Sequence, residues 1–448
     1  MNEALAAAVL VFGVTILVVG LARLLIVPCA LWFEARHRRP PAGTPPHAAT
    51  IFASPPAAPP SVSVIVPAYN EGVVLQACIR SIARSDYPDF EIICVDDGST
   101  DDTFAQLQAL AAELPRVRAL TQPNAGKGAA LNQGLSHARG EVLVLVDADG
   151  VFRPDTLREM VRAFADPRIG AVCGDDRTVN LDRVQTRYLA LVSHVGTGLV
   201  RRALDVLRCL PIVSGNTGAF RRDVLTRTGP LREDTVGEDL ELTWRVYRAG
   251  YRVAFAPRAL VHAESPSTLR GLWKQRVRWA RGLLQSVRRH RDMIGNPRYG
   301  IFGPYLALTV ATQVLLPVVQ VAAFVVLVVL ASLGDTSALP QTVWGVVLFT
   351  GLALSVVLLL VAVLLDRSPG DLRHAWTLPL WPFYSAMMSL VMLRALWLEL
   401  SGADNRWNKL DRTGTISIGT SLDNPIDTSA DTPVDTTRDT SADTRQDR

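Results

Sequence analysis

The chain is short of lysine, of paired cysteine and of net charge. Its five cysteines are scattered, with no C-x-x-C pair among 448 residues. That excludes a disulfide framework and a thiolate zinc site. Lys+Arg 46 against Asp+Glu 42 leaves a formal charge of +4, and so small an excess makes free nucleic acid a poor partner. Lysine is rarer still: only Lys127, Lys274 and Lys409 stand among the 46 basic residues. The start, Met1-Asn2-Glu3, lacks the positive n-region of a signal peptide. Disorder of the whole chain is excluded too, because hydrophobic residues make up 49% of it. A mean hydropathy of +0.21 is high for a soluble protein and places part of the chain in lipid.

A helix needs roughly 20 apolar residues to cross about 30 Å of hydrocarbon. Leu5 to Phe33 qualifies, with Arg23 as its only charge, and is expected to be an uncleaved anchor over residues 1–35. Arg36, Arg38 and Arg39 follow it; by the positive-inside rule the next segment is cytosolic. Residues 36–60 are rich in Pro and Ala and read as a linker. About three further spans are expected over 301–400: Tyr305 to Leu333, Val343 to Leu365 and Trp376 to Leu400. Pro379, Pro382 and Arg394 interrupt the third. If it crosses, parity puts the tail outside, yet Arg406, Lys409 and Arg412 favour the cytosol. The sequence leaves that conflict open. In the tail, residues 401–448, an Asp recurs every fourth position from Asp423 to Asp447 among Thr, Ser and Ala. A helix would stack those acids on one face, so disorder is expected from about 415.

Between linker and spans, residues 61–266 alternate strand and helix patterns. Val62 to Pro67, Phe90 to Val95 and Glu141 to Val146 are nearly unbroken apolar runs, the pattern of parallel strands buried on both faces. Helical spacing fills Gly72 to Arg84, Thr103 to Leu114 and Gly126 to Ala138. The expectation is an α/β fold with a mostly parallel sheet and ligands beyond the carboxyl ends of its strands. Polar residues gather at those ends: Tyr69-Asn70-Glu71, Asp96-Asp97-Gly98 and Asp147-Ala148-Asp149. Each alone could be an ordinary turn or cap. Together they point to a site.

Asp147 and Asp149 form a D-x-D, two hard carboxylates suited to Mg²⁺ or Mn²⁺ while a diphosphate supplies further oxygens. Lys127 stands between glycines at a helix start, a good phosphate contact, although the Walker spacing is absent. Glu238-Asp239 opens another helix, where acids complement the dipole or serve as a general base. The helix from about Thr268 to Arg289, in an interface segment of 267–300, is basic and amphipathic. Leu269, Trp273, Val277, Ala280, Leu284 and Val287 form a stripe about 80° wide, suited to a membrane surface. Gln275, Arg278, Trp279 and Gly282 fall on the opposite face, which is expected to pack on the catalytic domain.

These motifs together resemble the family 2 glycosyltransferases with the GT-A (Rossmann-like) fold, of the membrane-embedded synthase type. The resemblance rests on Val66-Pro-Ala-Tyr-Asn-Glu71, Val95-Asp-Asp-Gly-Ser-Thr-Asp101, Gly126-Lys-Gly-Ala-Ala-Leu-Asn132, the D-x-D, Glu238-Asp239 and the Q-x-x-R-W of Gln275, Arg278 and Trp279. It is nearest to bacterial poly-N-acetylglucosamine synthases, then to hyaluronan, chitin and cellulose synthases. The resemblance implies that Tyr69, Glu71, Asp97 and Asp96 hold the uracil and ribose of a UDP-sugar. Lys127 then contacts the diphosphate or the neighbouring nucleotide site, Asp147 lies near the donor, Asp149 binds the metal and Asp239, beside Glu238, is the base. Gln275, Arg278 and Trp279 hold the leaving diphosphate and frame the acceptor entrance. One departure is Gly237, where many relatives have Thr before the Glu-Asp pair. The expected function is a processive inverting transfer of a sugar, N-acetylglucosamine by resemblance, from a UDP-sugar to a growing polysaccharide at the plasma membrane. Export or accessory subunits are then candidate partners, and membrane lipids are implied. The alternative is transfer of a single sugar to a lipid acceptor. A scaffold with a degenerate transferase domain would lack a base or metal acid, and none is missing. Trp407 to Gly414 resembles a family tail lying against the cytosolic domain.

Overall fold

The computed structural model of the chain describes residues 20–22, 24–37, 59–332, 341–403 and 414. Most of the expected anchor and linker, and the Asp-repeat tail, lie outside the described residues. The first helix, α1, spans Val27–His37. β1 (Val62–Ala68), α2 (Leu75–Ala83), β2 (Phe90–Asp96), α3 (Thr103–Glu113), β3 (Val117–Thr121), α4 (Lys127–His137) and β4 (Val142–Leu145) then alternate strictly. A second half follows with β5 (Val151–Phe152), α5 (Thr156–Arg162), β6 (Ile169–Thr178), α6 (Val184–Ser193), a π-helical turn His194–Leu199 and α7 (Val200–Val206). It closes with β7 (Gly218–Arg221), α8 (Arg222–Thr228), α9 (Glu238–Arg248) and β8 (Arg252–Ala263). Beyond it come α10 (Leu269–Arg289), α11 (Phe302–Val310), α12 (Leu316–Ser332), α13 (Gln341–Leu365), a 3-10 stretch Pro369–Leu380 and α14 (Trp381–Leu400).

The strands form one sheet in the order β3-β2-β1-β4-β7-β6-β8-β5. β1 pairs in parallel with both β2 and β4, so the strand order reverses between β1 and β4 and opens a crevice at their carboxyl ends. The first half matches the expected parallel sheet. The second departs in part: β6 and β8 pair in parallel, but β7 runs antiparallel between β4 and β6, and β5 antiparallel to β8. The sheet is therefore mixed. β7 is only four residues long and enters from the loop before it, so its apolar pattern carries no signal of direction.

Every residue of β1 and β4 is buried, as their apolar runs require. Alternation divides the core. Ile65, Ile93 and Leu143 pack on one face with Leu131, Phe220 and Trp244. Val64, Ile92 and Val144 pack on the other with Leu75, Ile79 and Leu107. The later helices are fastened to the first face. Phe302 is fully buried, stacked at 3.8 Å on Tyr247 and edge-on to Trp244; burying such a ring contributes about 1.5–3 kcal/mol.

From there α11 and α12 carry an apolar surface away from the domain, with Phe324, Val325, Val328 and Val329 exposed. α13 is an uninterrupted apolar helix of 25 residues, about 37 Å at 1.5 Å per residue. Its far end packs against the N-terminal helix, where Ala362 meets Ala30, Leu199 and Ala203. It ends at Asp366, in a buried ion cluster. Asp366 takes Arg202 at 2.6 Å, His194 at 2.6 Å and Arg177 at 2.8 Å. Arg177 also holds Asp175 of β6, and His194 also holds Asp371. The cluster pins α13, α7 and the 3-10 stretch to the sheet.

α14 covers the expected third span. It is apolar and long enough to cross a membrane, yet it runs along α10 from end to end. Near its start Tyr384 lies 5.3 Å from Tyr188 of α6. Near its end Glu399 accepts from Arg281 at 2.6 Å and Gln285 at 3.0 Å. Both ends therefore stay with the catalytic domain. The apolar stripe of α10 is the reason: Val277 and Ala280, with Leu283 beside them, need a partner, and Val391, Met392 and Ala395 supply it. The stripe thus faces α14 and the core, not a bilayer, and it is Leu269 that remains exposed. Gly414, the only described residue of the Trp407 to Gly414 segment, lies against Val73 of the catalytic domain.

Candidate active site

The crevice is built by loops from three strand ends. Asn70, held at φ 54, staples two of them. Its backbone N–H donates to Ser99 Oγ at 2.8 Å, and its Oδ1 accepts from the Thr100 N–H at 2.7 Å. The Glu71 N–H donates to Thr103 Oγ1 at 2.9 Å. Tyr69 and Glu71 are thus carried at the mouth, both half-buried.

The acids after β2 turn inward. Asp97 is fully buried, and its carboxylate accepts from Gln122 Nε2 at 2.7 Å, Ala125 N at 2.9 Å and Gly126 N at 2.8 Å. Asp96 accepts from Thr121 Oγ1 at 3.0 Å and from the Ser99 N–H. In this structure Asp97 holds the Asn124-Ala125-Gly126 loop, which presents Lys127, and Asp96 holds the turn at Ser99.

Lys127 is the hub. Its Nζ lies 2.7 Å from Asp147 Oδ1 and 3.1 Å from Glu238 Oε1. Burial works against its charge, but Asp147, Glu238 and Asp239 outweigh it, so its pKa is raised although Arg278 opposes them. Asp239 sits beside it on the first turn of α9. Its Oδ2 accepts from the Gly215 N–H at 3.1 Å and its Oδ1 from the Leu240 N–H at 2.8 Å. Burial, then the Glu238 charge, raises its pKa above the ordinary carboxylate value, while Lys127 and Arg278 hold it down. That balance suits a group that must receive a proton.

Asp149 is buried and Asp147 partly open. Among the described residues no group of three or more His, Cys, Asp or Glu side chains closes a metal site. Hard carboxylate oxygens at a strand tip still fit Mg²⁺ or Mn²⁺, with the remaining oxygens drawn from a diphosphate and water.

Sequence comparison decides the family. The sequence profile described as "Glycosyltransferase like family 2" matches residues 59–282, half of the chain. The chain belongs to this family. Its domain is that of a glycosyltransferase. Poly-beta-1,6-N-acetyl-D-glucosamine synthase of Staphylococcus epidermidis is 32% identical over 227 residues, 49% of this chain and 54% of that protein. The synthase of Staphylococcus aureus strain COL is 31% identical over the same shares. The chain thus spans about half the length of these curated relatives. Among solved structures, the mannosyltransferase PcManGT from Pyrobaculum calidifontis, in complex with GDP-Man and Mn²⁺, aligns with a TM-score of 0.61 and 26% identity. That alignment covers 89% of this chain and 99% of that one.

Of the residues singled out from sequence, the structure brings Lys127, Asp147, Glu238 and Asp239 into direct contact or electrostatic reach, with Arg278 close enough to act on Lys127 and Asp239. Gln275 is half-buried. Trp279 departs from expectation: it does not pack on the domain but is 49% exposed, with the Arg276 guanidinium 4.2 Å over its ring. Gly282, on the same face, does make a close contact with the domain. A Cβ on Gly237 would come within 2.8 Å of the Gly282 Cα. The glycine before the Glu-Asp pair is thus half of a backbone crossing between α9 and α10, and a Thr there would force them apart.

Gly215 escaped the sequence reading. It lies in Ser214-Gly-Asn-Thr-Gly218, a turn-rich run before a short strand, and that run was the available signal. Nothing in it marks which carboxylate its N–H meets.

Proposed function

We propose that the chain is a membrane-embedded inverting hexosyltransferase that moves a sugar from a nucleotide diphosphate donor to an acceptor hydroxyl at the membrane surface. The observation that carries this reading is the Lys127–Asp147–Glu238–Asp239 group, gathered at the strand-order reversal and overlooked by Arg278. Tyr69 and Glu71, with Asp96 and Asp97 behind them, line the nucleoside end. Asp149 would hold the Mg²⁺ or Mn²⁺, with Asp147 beside the diphosphate, and the cation supplies charge neutralisation of that group. Asp239 takes the acceptor proton as the acceptor oxygen bonds to the anomeric carbon. The bond to the diphosphate breaks on the opposite side, where Lys127, leaving Asp147, and Arg278 meet the developing charge. The Gly215 and Leu240 N–H groups keep the Asp239 carboxylate aimed.

The helices favour transfer of one sugar to a lipid-borne acceptor. Counting the expected anchor, α12, α13 and α14, four apolar segments make a narrow pore at best for a sugar polymer. The mannosyltransferase PcManGT aligns over 99% of its length, which supports a sugar transferase of this architecture. The processive synthase is the second reading, favoured by the 32% identity to the staphylococcal synthases across the catalytic half. Catalytic domain and tail lie on the cytosolic side of the plasma membrane.

The test is nucleotide release by the full chain in lipid with Mn²⁺, over a panel that includes UDP-N-acetylglucosamine and GDP-mannose. Release with one donor, abolished in Asp239→Asn, is expected. Absence of release with every donor would overturn the reading.

A further inference from the structure

Thr243 lies one helical turn beyond Asp239 in α9 and is fully buried. A threonine inside a helix commonly turns its hydroxyl back onto the carbonyl four residues earlier. Here that carbonyl belongs to Asp239, and Thr243 Oγ1 donates to it at 2.7 Å. The same oxygen accepts from the Val213 N–H at 2.9 Å. One hydroxyl therefore ties the first turn of α9 to the chain that leads into β7.

That stretch of chain is the one that meets the base. Three successive N–H groups in it are bound: Val213 by Thr243, Ser214 by the Cys173 sulfur at 3.5 Å, and Gly215 by Asp239 Oδ2 at 3.1 Å. Sulfur is a weak acceptor, so Thr243 is the firm anchor ahead of Gly215. Asp239 is thus held at both ends of one closed loop, its carbonyl by Thr243 and its carboxylate by Gly215. The clearances leave little room for drift. A Cβ built on Gly215 would stand 3.0 Å from Lys127 Nζ and 3.5 Å from Asp239 Oδ2, so the turn lies against both the hub cation and the base. Two more side chains of α9 fasten the same run further back. Trp244 Nε1 donates to the Pro211 carbonyl at 3.2 Å, and the Tyr247 hydroxyl donates to the Leu210 carbonyl at 3.0 Å.

We propose that Thr243 is a positioning residue for the transfer step: its hydroxyl sets the Gly215 turn and, through that turn, the aim of the Asp239 carboxylate at the acceptor hydroxyl. This rests on the reading of the chain as a glycosyltransferase with Asp239 as its base, and deepens it. Thr243 is shut from solvent, so it acts through Asp239 and not by touching donor or acceptor. Its effect belongs to turnover rather than to nucleotide binding, because a misplacement of about 1 Å at a reacting group can cost about 10²-fold.

The experiment uses the full chain in lipid with the donor found active. Thr243→Val nearly keeps the side-chain volume and loses both bonds. Its kcat should fall at least tenfold, while the Kd for the nucleotide diphosphate with Mn²⁺ stays within twofold. Thr243→Ser keeps the hydroxyl and should stay within threefold of the native kcat. Tyr247→Phe removes a bond from the same run without touching the turn, and should leave kcat within twofold. Added to Asp239→Asn, the Thr243→Val change should lower the residual turnover no further, since the two residues act as a unit. Thr243→Ala, read by the same criteria, takes the place of Thr243→Val if the valine variant does not fold. An unchanged kcat in Thr243→Val, an equal fall in Thr243→Ser or Tyr247→Phe, a matching loss of nucleotide affinity, or a further tenfold fall in the double variant would each overturn the proposal. A native chain that turns over no donor, or an Asp239→Asn chain with full turnover, fails the broader reading instead, and the two failures stay distinguishable.

Discussion

Two clusters of buried charge do opposite work in this molecule. At the end of α13, Asp366, Asp175 and Asp371 meet Arg177, Arg202 and His194, and every acid has a cation at 2.5–2.9 Å. Asp366 is wholly shut from solvent. In the crevice, Asp147, Glu238 and Asp239 share Lys127, with Arg278 further off. The first cluster is matched and sealed, and it joins helices to sheet. The second has acids to spare and opens on a cleft. A matched set has nothing left to bind, whereas an unmatched set held in place by backbone N–H groups is prepared for a ligand.

Exchanging one acid in each cluster should separate these roles. Asp239→Asn should lower turnover by about 10²–10⁴-fold, the usual share of a general base, with an unchanged melting temperature. Kinetics and a thermal melt on one preparation check both halves. Asp366→Asn should do the reverse. Removing one partner of a buried pair destabilises by about 3–5 kcal/mol, so a large fall in the melting temperature should precede any specific loss of chemistry. A smaller effect is expected where the crevice meets α10. Gly237→Thr overpacks the Gly282 crossing by about 1–3 kcal/mol. It should weaken transfer through misplacement of Asp239, and Gly282→Ala should reproduce that direction.

The smallest effect concerns pH. Burial lowers the His194 pKa, but its bonds to Asp366 and Asp371 more than compensate, leaving it raised. Its stabilisation is complete below the ordinary 6.5 and fades as pH climbs through the raised value. Burial raises the pKa of Asp366 and Asp371, yet His194 first and then Arg177 hold both below the ordinary 3.8, so their stabilisation fades as pH falls below it. Stability from this cluster should therefore peak between about pH 4 and 6.5. His194→Gln should flatten the alkaline side in melts taken across pH.

What the sequence disclosed follows a physical line. Asp96-Asp97, Asp147-Ala-Asp149, Gly126-Lys127-Gly128 and Glu238-Asp239 are local patterns at strand ends and helix starts, and all were legible. So was the α/β alternation of the first half of the domain. Long-range pairings were not. The direction of β7, the Gly215 N–H on Asp239 and the Gly237–Gly282 crossing each depend on partners 24 or more residues apart. α14 shows the same limit. Its composition is that of a span, and nothing local in it shows that it packs along the apolar stripe of α10.

The most direct test of the central claim is mass spectrometry of the lipid product formed by the full chain with its active donor. The account predicts a lipid carrying one added sugar, absent in Asp239→Asn. A long polymer made without any lipid acceptor would contradict it.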